Sequence, residues 1–375
     1  MSTQQFSLFD NECMTLAIQQ AWLGIYTTKP NPNVGCVIAK ENQVLASGYH
    51  SCAGLGHAEV NALAKLSKGQ VEGSTVYVTL EPCSHIGRTG ACAQALIDAK
   101  VAKVICAMQD PNPVVAGKGF ALLRAAGIEV QISLQEIAAK ALNKGFIKRM
   151  SQQLPWIAIK LAMSLDGRTA MDSGESQWIT GSPARSDVQK LRASSCAIIT
   201  GIGSIEQDDS SLTVRKSELG LCEANYDVDL IVQKQPLRVV LDSQNRISAN
   251  AKVLQQAGRT LRVIAQPLRA EDGENVISLP NKHGQVDLKA LLQYLAEHEQ
   301  CNSVLVEAGA TLAGRFVEQE LFDQLIVFMA PTILGASAKP LLAIAKDKMA
   351  QQQRLKMVDQ RFVGEDLRLT YEQIQ

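Results

Sequence analysis

His57-Ala58-Glu59 sets an imidazole and a carboxylate on one short segment, and Cys83 and Cys92 lie further along the chain. One imidazole and two thiolates are a ligand set that leaves the fourth tetrahedral position of a zinc ion open to water. Zinc lowers the pKa of that water toward neutrality, so hydroxide becomes available to attack an amidine-like carbon. Deamination also needs a proton carried from the water to the departing ammonia, and Glu59, outside the coordination shell, suits that shuttle. The general signature of such sites is H-x-E followed by P-C-x-x-C, whereas here eight residues separate Cys83 from Cys92. An H-x-E alone is weak, because a histidine at a helix start beside a solvated glutamate is its commoner meaning. HAE, then TLEPC after a strand, then a cysteine opening the next helix is far more specific.

The elements around these residues must therefore hold two helix starts against one strand end. His57 opens a predicted helix over about 57–68, TVYVTL (75–80) is a strand, and CAQALIDAK (92–100) is a helix. Upstream, Met14, Ile18, Ala21 and Ile25 recur at helical spacing behind a capping Asp10 or Asn11, which predicts an amphipathic helix over 11–25. VGCVIA and QVLASGY flank Lys40-Glu41-Asn42 as a hairpin. Strand KVICAM, helix 120–126, strand IEVQI and a helix over 135–149 continue a βαβα series, hence a sheet layered with helices. Gln152-Gln153-Leu154-Pro155 reads as a linker, placing a domain boundary near 150: 1–150 and 151–375. The second half is α/β again: strands WIAIKLAMS, CAIITG, LRVVLDS, LRVIAQ, SVLVEAG, LIVFMA and DLRLTYEQ, with helices over 182–194, 287–298 and 311–320. Residues 207–236 are polar and irregular and read as a long loop.

A chain of 375 residues with 46% hydrophobic content can fill two cores. Lys plus Arg and Asp plus Glu both total 37, so no global charge draws it toward nucleic acid or an anionic membrane. An anionic ligand must meet local cations or backbone amides. Nine cysteines, an odd number scattered from Cys13 to Cys301, argue for a reducing compartment over a disulfide scaffold. Cys36, Cys52, Cys106, Cys196, Cys222 and Cys301 read as small apolar packing residues. His50 and His85 flank the metal motifs and are candidates to line the cleft. The opening MSTQQFSLFD has no basic-then-apolar leader pattern, and no run reaches the roughly eighteen apolar residues of a membrane span, so a cytoplasmic protein is expected.

The eight-residue spacing is itself informative: PCSHIGRTGAC closely resembles the PCSHxGRTxxC segment of the bifunctional riboflavin-biosynthesis family, a deaminase fused to a reductase. NPNVGCVI, GYHSCAGLGHAE and TLEPCSH are similar to it as well, and so, in the second half, are KLAMSLDGRTA, SQWITG, DVQKLRA, DDSSLTVR and VEAGATLAGRF. The resemblance implies a cytidine-deaminase-like N-terminal domain and a C-terminal domain shaped like dihydrofolate reductase. It implies zinc on His57, Cys83 and Cys92, and Glu59 as proton donor. It further implies NADPH and a small phosphorylated pyrimidine as ligands, with neither nucleic acid nor membrane as partner; a homo-oligomer is compatible with it. Ser176, Arg192, Leu212, Arg215 and Glu307 match the family's substrate contacts. Ala162, Trp178, Ser204 and Asp208, with Gly309, Ala310, Thr311, Leu312, Ala313, Gly314 and Arg315, match its NADP contacts. Lys160 and Asp208 are candidates for positioning or protonating the reacting ribose. Two departures stand out: Gly90-Ala91 where relatives often carry prolines, and Asp208-Asp209-Ser210 where they carry DDP. Neither removes a ligand.

Part of the second site can be read without the resemblance. Strand SVLVEAG running through Gly309-Ala310-Thr311-Leu312 into a helix presents amide N–H groups and a positive dipole end to a phosphate. A glycine at such a turn is more often only a tight turn, and Gly201-Ile202-Gly203 lacks the third glycine of a Rossmann fingerprint. Trp178 is explained as well by core packing as by a nicotinamide neighbour. Arg192, late in a helix, and Arg215, closing LTVR, are planar cations suited to a phosphate dianion. Two other functions compete. A nucleic-acid-editing deaminase would need a basic face and stacking aromatics, against a neutral chain with 5% aromatics. A nucleotide-sensing C-terminal half would bind dinucleotide without consuming it.

Overall fold

The computed structural model describes residues 6–84, 90–175 and 179–374. The chain divides into two compact units, Met1–Gln153 and Leu154–Gln375. Among the described residues no helix is long and apolar enough to cross a membrane.

In the first unit, strands β1 (Gly35–Lys40), β2 (Gln43–Tyr49), β3 (Thr75–Val78), β4 (Lys103–Cys106) and β5 (Glu129–Ile132) form a sheet of order β2-β1-β3-β4-β5. β1 is antiparallel to both neighbours, and β3, β4 and β5 are parallel. Both faces are covered, so alternate residues serve two cores. Cys36, Ile38, Val76, Val78, Val104 and Cys106 pack with Ala58, Ala62, Leu96, Phe120 and Leu123 on one face. Val37, Ala39, Tyr77 and Ile105 pack with Cys13, Met14 and Ala17 on the other. Burial pushes the Cys36 and Cys106 thiols well above their ordinary pKa, consistent with packing roles.

Several boundaries differ from expectation for local reasons. The first helix spans Leu8–Trp22 and is capped by Ser7, whose Oγ accepts from Asp10 N while Asp10 accepts from Ser7 N, a reciprocal capping box. Asp10 is thus inside the helix, and Ile25 lies past its end. The segment expected as one helix from 57 to 68 is two pieces, Ala58–Leu63 and Lys68–Val71. The helix expected over 135–149 is broken into Glu136–Leu142 and Lys144–Gln152. At the break the Asn143 side chain accepts from Asn33 N at 2.7 Å and donates to Asn33 O at 2.8 Å, a clamp on a distant loop. The second piece runs to Gln152, through the start of the expected linker.

In the second unit, β6 (Trp156–Ser164), β7 (Arg168–Ala170), β8 (Ala197–Gly201), β9 (Leu237–Leu241), β10 (Thr260–Ile264), β11 (Val276–Ser278), β12 (Ser303–Glu307), β13 (Gln324–Ala330), β14 (Lys339–Pro340), β15 (Leu355–Val363) and β16 (Asp366–Gln373) follow in turn. Nine of them form one sheet of order β11-β10-β9-β8-β12-β6-β13-β16-β15, and β7 pairs with β14. The sheet is parallel from β11 to β13, with β16 and β15 added antiparallel. One face buries Leu288, Leu291, Leu292, Leu295 and Phe316, the other Ile198, Ile205, Val240 and Leu305. The stretch expected as a loop over 207–236 contains helices Lys216–Leu219 and Val228–Gln233, anchored by buried Leu219, Val228 and Ile231 and capped by Asp227. β15 escaped the pattern because seven successive residues are exposed, with no alternation to detect.

One side chain ties the first unit's elements to its cysteine turn. Glu81, buried just past β3, accepts from Asp110 N and Gly117 N through Oε2 and from Gly119 N and Phe120 N through Oε1, at 2.9–3.3 Å. It caps the Lys118–Ala125 helix from across the fold, satisfying donors that the helix start leaves open. The approach is close: a Cβ at Gly119 would meet Pro82 O at 2.0 Å. Glu81→Gln removes the charge and sets an amide donor against N–H groups, and hydrogen bonds to charged groups contribute about 1.5–3 kcal/mol each. We expect a loss of at least about 2 kcal/mol, seen as an earlier denaturant midpoint for this unit with faster hydrogen exchange at Gly119 and Phe120. An unchanged midpoint and unchanged exchange would show that the helix start is held by something else.

Candidate active sites

Three elements bring the first site together. His57 is the N-cap of the Ala58–Leu63 helix, Cys83 follows the turn after β3, and Cys92 is the first residue of the Cys92–Asp98 helix. His57 Nδ1 lies 3.5 Å from Cys83 Sγ and 3.3 Å from Cys92 Sγ, and the three donor atoms all fall within 4.8 Å of one another. Tetrahedral zinc, with its ordinary bond lengths, separates a ligating nitrogen and sulfur by about 3.6 Å. The geometry and the donor set therefore fit that ion. Cys92 N–H donates to Cys83 Sγ at 3.3 Å. The hydrogen bond with Cys92, helped by His57 and this amide, brings the Cys83 thiol down to about 4 against its burial. Hydrogen bonding to that thiolate and burial push Cys92 up instead. A thiolate is the form that ligates a metal.

Glu59 is buried, and burial, reinforced by the Cys83 thiolate, pushes its carboxyl up to about 7. It reaches the cluster through a hydrogen bond with Cys92. A carboxyl that changes protonation near neutrality can both take and return a proton. His50 packs edge-on to His57, with ring centroids 5.2 Å apart. Its Nδ1 donates to Gly56 O and its Nε2 accepts from Asn31 Nδ2, both at 3.0 Å. His85 lies outside the described residues.

The second site is a cavity of about 720 Å³ over the C-terminal ends of β6, β12, β8 and β9, which are neighbours in that order. Lys160 and Glu307 are register partners on β6 and β12 and both line it. Arg192 reaches the same point from the Ser182–Ser194 helix, donating through Nε to Glu307 Oε1 at 2.6 Å and through Nη2 to Oε2 at 2.9 Å. Burial acts to raise the Glu307 carboxyl, but Arg192, Lys160 and Arg215 outweigh it and hold it below the ordinary range. Burial lowers the Lys160 ammonium; Glu307 opposes that and Arg192 adds to it.

Ala162, Ser204, Asp208, Leu212, Gly309, Ala310, Thr311, Leu312 and Arg315 also line the cavity. Ala313 and Gly314 do not: Ala313 packs in the core, and a Cβ at Gly314 would meet Ala343 O at 2.8 Å. Helical periodicity separates them from Thr311, Leu312 and Arg315. Arg192, expected to face a phosphate, has three of its N–H groups committed to Glu307 and to Thr213 O. Arg215 is absent from the cavity wall; its half-exposed side chain pairs with Glu218 at 2.7 Å and its backbone N–H donates to Gln189. Ser176 and Trp178 lie outside the described residues. Sequence reasoning missed Asp242, Ser243, Gln244 and Arg246, the polar turn after β9, and Lys339 on β14, all in the wall. The available signal was that LRVVLDS ends in a polar run, as β8 and β12 end in glycine turns.

Residues 8–108 match the model of the cytidine and deoxycytidylate deaminase zinc-binding region, and residues 155–369 match that of the RibD C-terminal domain. The riboflavin biosynthesis protein RibD of Escherichia coli is 47% identical over 362 residues, covering 96% of this chain and 98% of that one. Its Haemophilus influenzae counterpart is 43% identical, with 98% of each chain covered. Among solved structures, Acinetobacter baumannii RibD superposes with a TM-score of 0.89 at 46% identity, covering 98% of this chain and 99% of that one. A diaminohydroxyphosphoribosylaminopyrimidine deaminase/5-amino-6-(5-phosphoribosylamino)uracil reductase from Thermotoga maritima gives 0.84 at 28% identity, covering 98% and 99%. With a metal-type thiolate cluster in one unit, a strand-end cavity in the other and likeness along the whole chain, this polypeptide belongs to the RibD family of bifunctional riboflavin-biosynthesis enzymes, a deaminase domain followed by a reductase domain.

Proposed function

We propose that the first unit deaminates a diaminohydroxyphosphoribosylaminopyrimidine with zinc held by His57, Cys83 and Cys92. The second unit then reduces the ribosyl group of 5-amino-6-(5-phosphoribosylamino)uracil with NADPH. The observation that carries this reading is the meeting of His57 Nδ1 and two cysteine sulfurs beside a buried carboxyl. Bound zinc supplies a water of lowered pKa. Glu59, lifted toward neutrality by burial, takes the proton that this water sheds and delivers it to the amino group that leaves as ammonia. The two helix starts and the β3 turn keep its carboxyl at that post.

In the second unit NADPH supplies a hydride. Gly309 to Leu312 and Ser204 offer backbone N–H groups and a hydroxyl to the dinucleotide, with Ala162, Asp208 and Arg315 around it. Reduction also consumes a proton, and Lys160, an ammonium of lowered pKa at the cavity floor, is placed to give it. Glu307 keeps that ammonium in position beside Arg192. Leu212 closes the wall, and Arg215 reaches the substrate phosphate only by exchanging Glu218 for it.

Mass spectrometry of products from the phosphorylated pyrimidine tests the whole reading: replacement of an amino group by oxygen without NADPH, and further gain of a hydride and a proton with it. Glu59→Gln should lower deamination at least about a hundredfold, the usual contribution of general acid-base catalysis, while zinc content by atomic absorption stays at the wild-type level. Loss of zinc from that variant would make Glu59 a ligand or a support for one. Lys160→Met should cut reductase turnover by a similar factor, about a hundredfold, with deamination untouched. A full reductase rate in that variant would assign the proton to another group.

A further inference from the structure

Three side chains of the Ser182–Ser194 helix, at three-residue spacing, bond one short stretch of backbone. Ser186 Oγ donates to Leu219 O at 3.4 Å, Gln189 Oε1 accepts from Arg215 N at 3.0 Å, and Arg192 Nη1 donates to Thr213 O at 3.1 Å. Residues three apart are neighbours on a helix surface, so this face is a rack along which 213–219 runs in the opposite direction. Gln235 adds a further tie, accepting from Val214 N at 2.8 Å and donating to Val214 O at 2.9 Å. The ties hold a strained approach: Leu212, in the cavity wall, sits in the left-handed region at φ 53°, which a leucine keeps only where its neighbours enforce it.

Gln189 occupies the middle of the rack and is only 1% exposed, and a buried amide is costly unless its polar ends are bonded. Its carbonyl holds the Arg215 amide, and its Nε2 donates to Glu218 Oε2 at 3.2 Å. Glu218 Oε2 also accepts from Arg215 Nη2 at 2.7 Å, so one buried side chain touches both the backbone of the arginine and its carboxylate partner. The ion pair itself is part-exposed, its side chains 49% and 35% accessible. It lies beside the buried Arg192–Glu307 contact. Burial acts to raise Glu307, and Arg215 is among the cations that outweigh it; burial acts to lower Arg192, and Glu307 and Glu218 outweigh that. Arg215 thus stands at the cavity margin with its backbone fixed and its head group able to change partners.

We propose that Gln189 is a positioning residue of the reductase: it fixes Arg215 at the cavity margin for an anionic group of the substrate, and holds Glu218 as the carboxylate that this group displaces. This rests on the reading that Arg215 meets the substrate phosphate. The amide suits the post because it accepts from the Arg215 N–H and donates to Glu218 at once, which neither a carboxylate nor an ammonium can do. A part-exposed ion pair contributes little, so it yields readily to a dianion. The phosphate then takes two parallel hydrogen bonds from the guanidinium, while Glu218 keeps its bond from Gln189 Nε2 and faces solvent. No charge is left buried by the exchange.

The test is a double-mutant cycle on the reductase step of the full-length enzyme, varying the phosphorylated aminouracil and NADPH in turn. Gln189→Leu, which removes both hydrogen bonds at similar volume, should raise the KM for the phosphorylated substrate about three- to tenfold. Turnover at saturation and the KM for NADPH should move by less than about twofold. In an Arg215→Ala background the same substitution should change the substrate KM by less than about twofold, since it acts through the arginine. Glu218→Gln should shift the KM the other way, lowering it about two- to fivefold, the worth of a part-exposed ion pair. That substitution lies at the surface and decides the matter if Gln189→Leu does not fold. Additive effects of Gln189→Leu and Arg215→Ala, or equal losses for substrate and NADPH, would make Gln189 a packing residue and overturn the proposal. An unchanged or raised substrate KM in Glu218→Gln would overturn it as well. A wild-type substrate KM in Arg215→Ala would remove the phosphate reading beneath it, and the proposal with that reading.

Discussion

Glu307 is the charge around which the reductase unit is arranged. A carboxylate at the end of a buried parallel strand is costly to desolvate unless cations and hydrogen bonds meet it. β6 supplies Lys160 by register and the Ser182–Ser194 helix supplies Arg192 by a two-pronged contact, so one side chain fixes the relation of two strands and a helix. The cavity floor inherits that rigidity. Its two cations, Lys160 and Arg192, share one carboxylate before any ligand arrives.

The deaminase unit treats two buried glutamates in opposite ways. Glu81 receives four backbone N–H groups and serves as a remote cap. Glu59, close in space to the Cys83 thiolate, lacks that set and is lifted to about 7 by burial. The same residue type is thus a remote helix cap in one place and a carboxyl lifted toward neutrality in the other. The two are linked, since Glu81 steadies the turn that delivers Cys83.

What could be read from the sequence was what is local. HAE, TLEPC and the helix beginning at Cys92 are each defined within a few residues, and the continuous apolar runs of β1, β3 and β4 fit a sheet covered on both faces. The misreadings arose where a distant partner decides. Asn143 leaves a helix to clamp Asn33, and no pattern around Asn143 announces it. The helices hidden in 207–236 are too short for periodicity and depend on where Leu219 and Ile231 find a core. In the same way, Arg192 meets Glu307 and Arg215 meets Glu218, pairings that no local pattern announces. Lys160 meets Glu307 only because β6 and β12 are register partners.

Each buried cluster described above draws on one unit alone. A cavity opened at Leu96 therefore falls within the packing of the first unit. In genetic terms, lesions in the two halves fall in different domains. Two alleles, one crippled in each half, can complement each other when both polypeptides are present and the intermediate is free to pass between them.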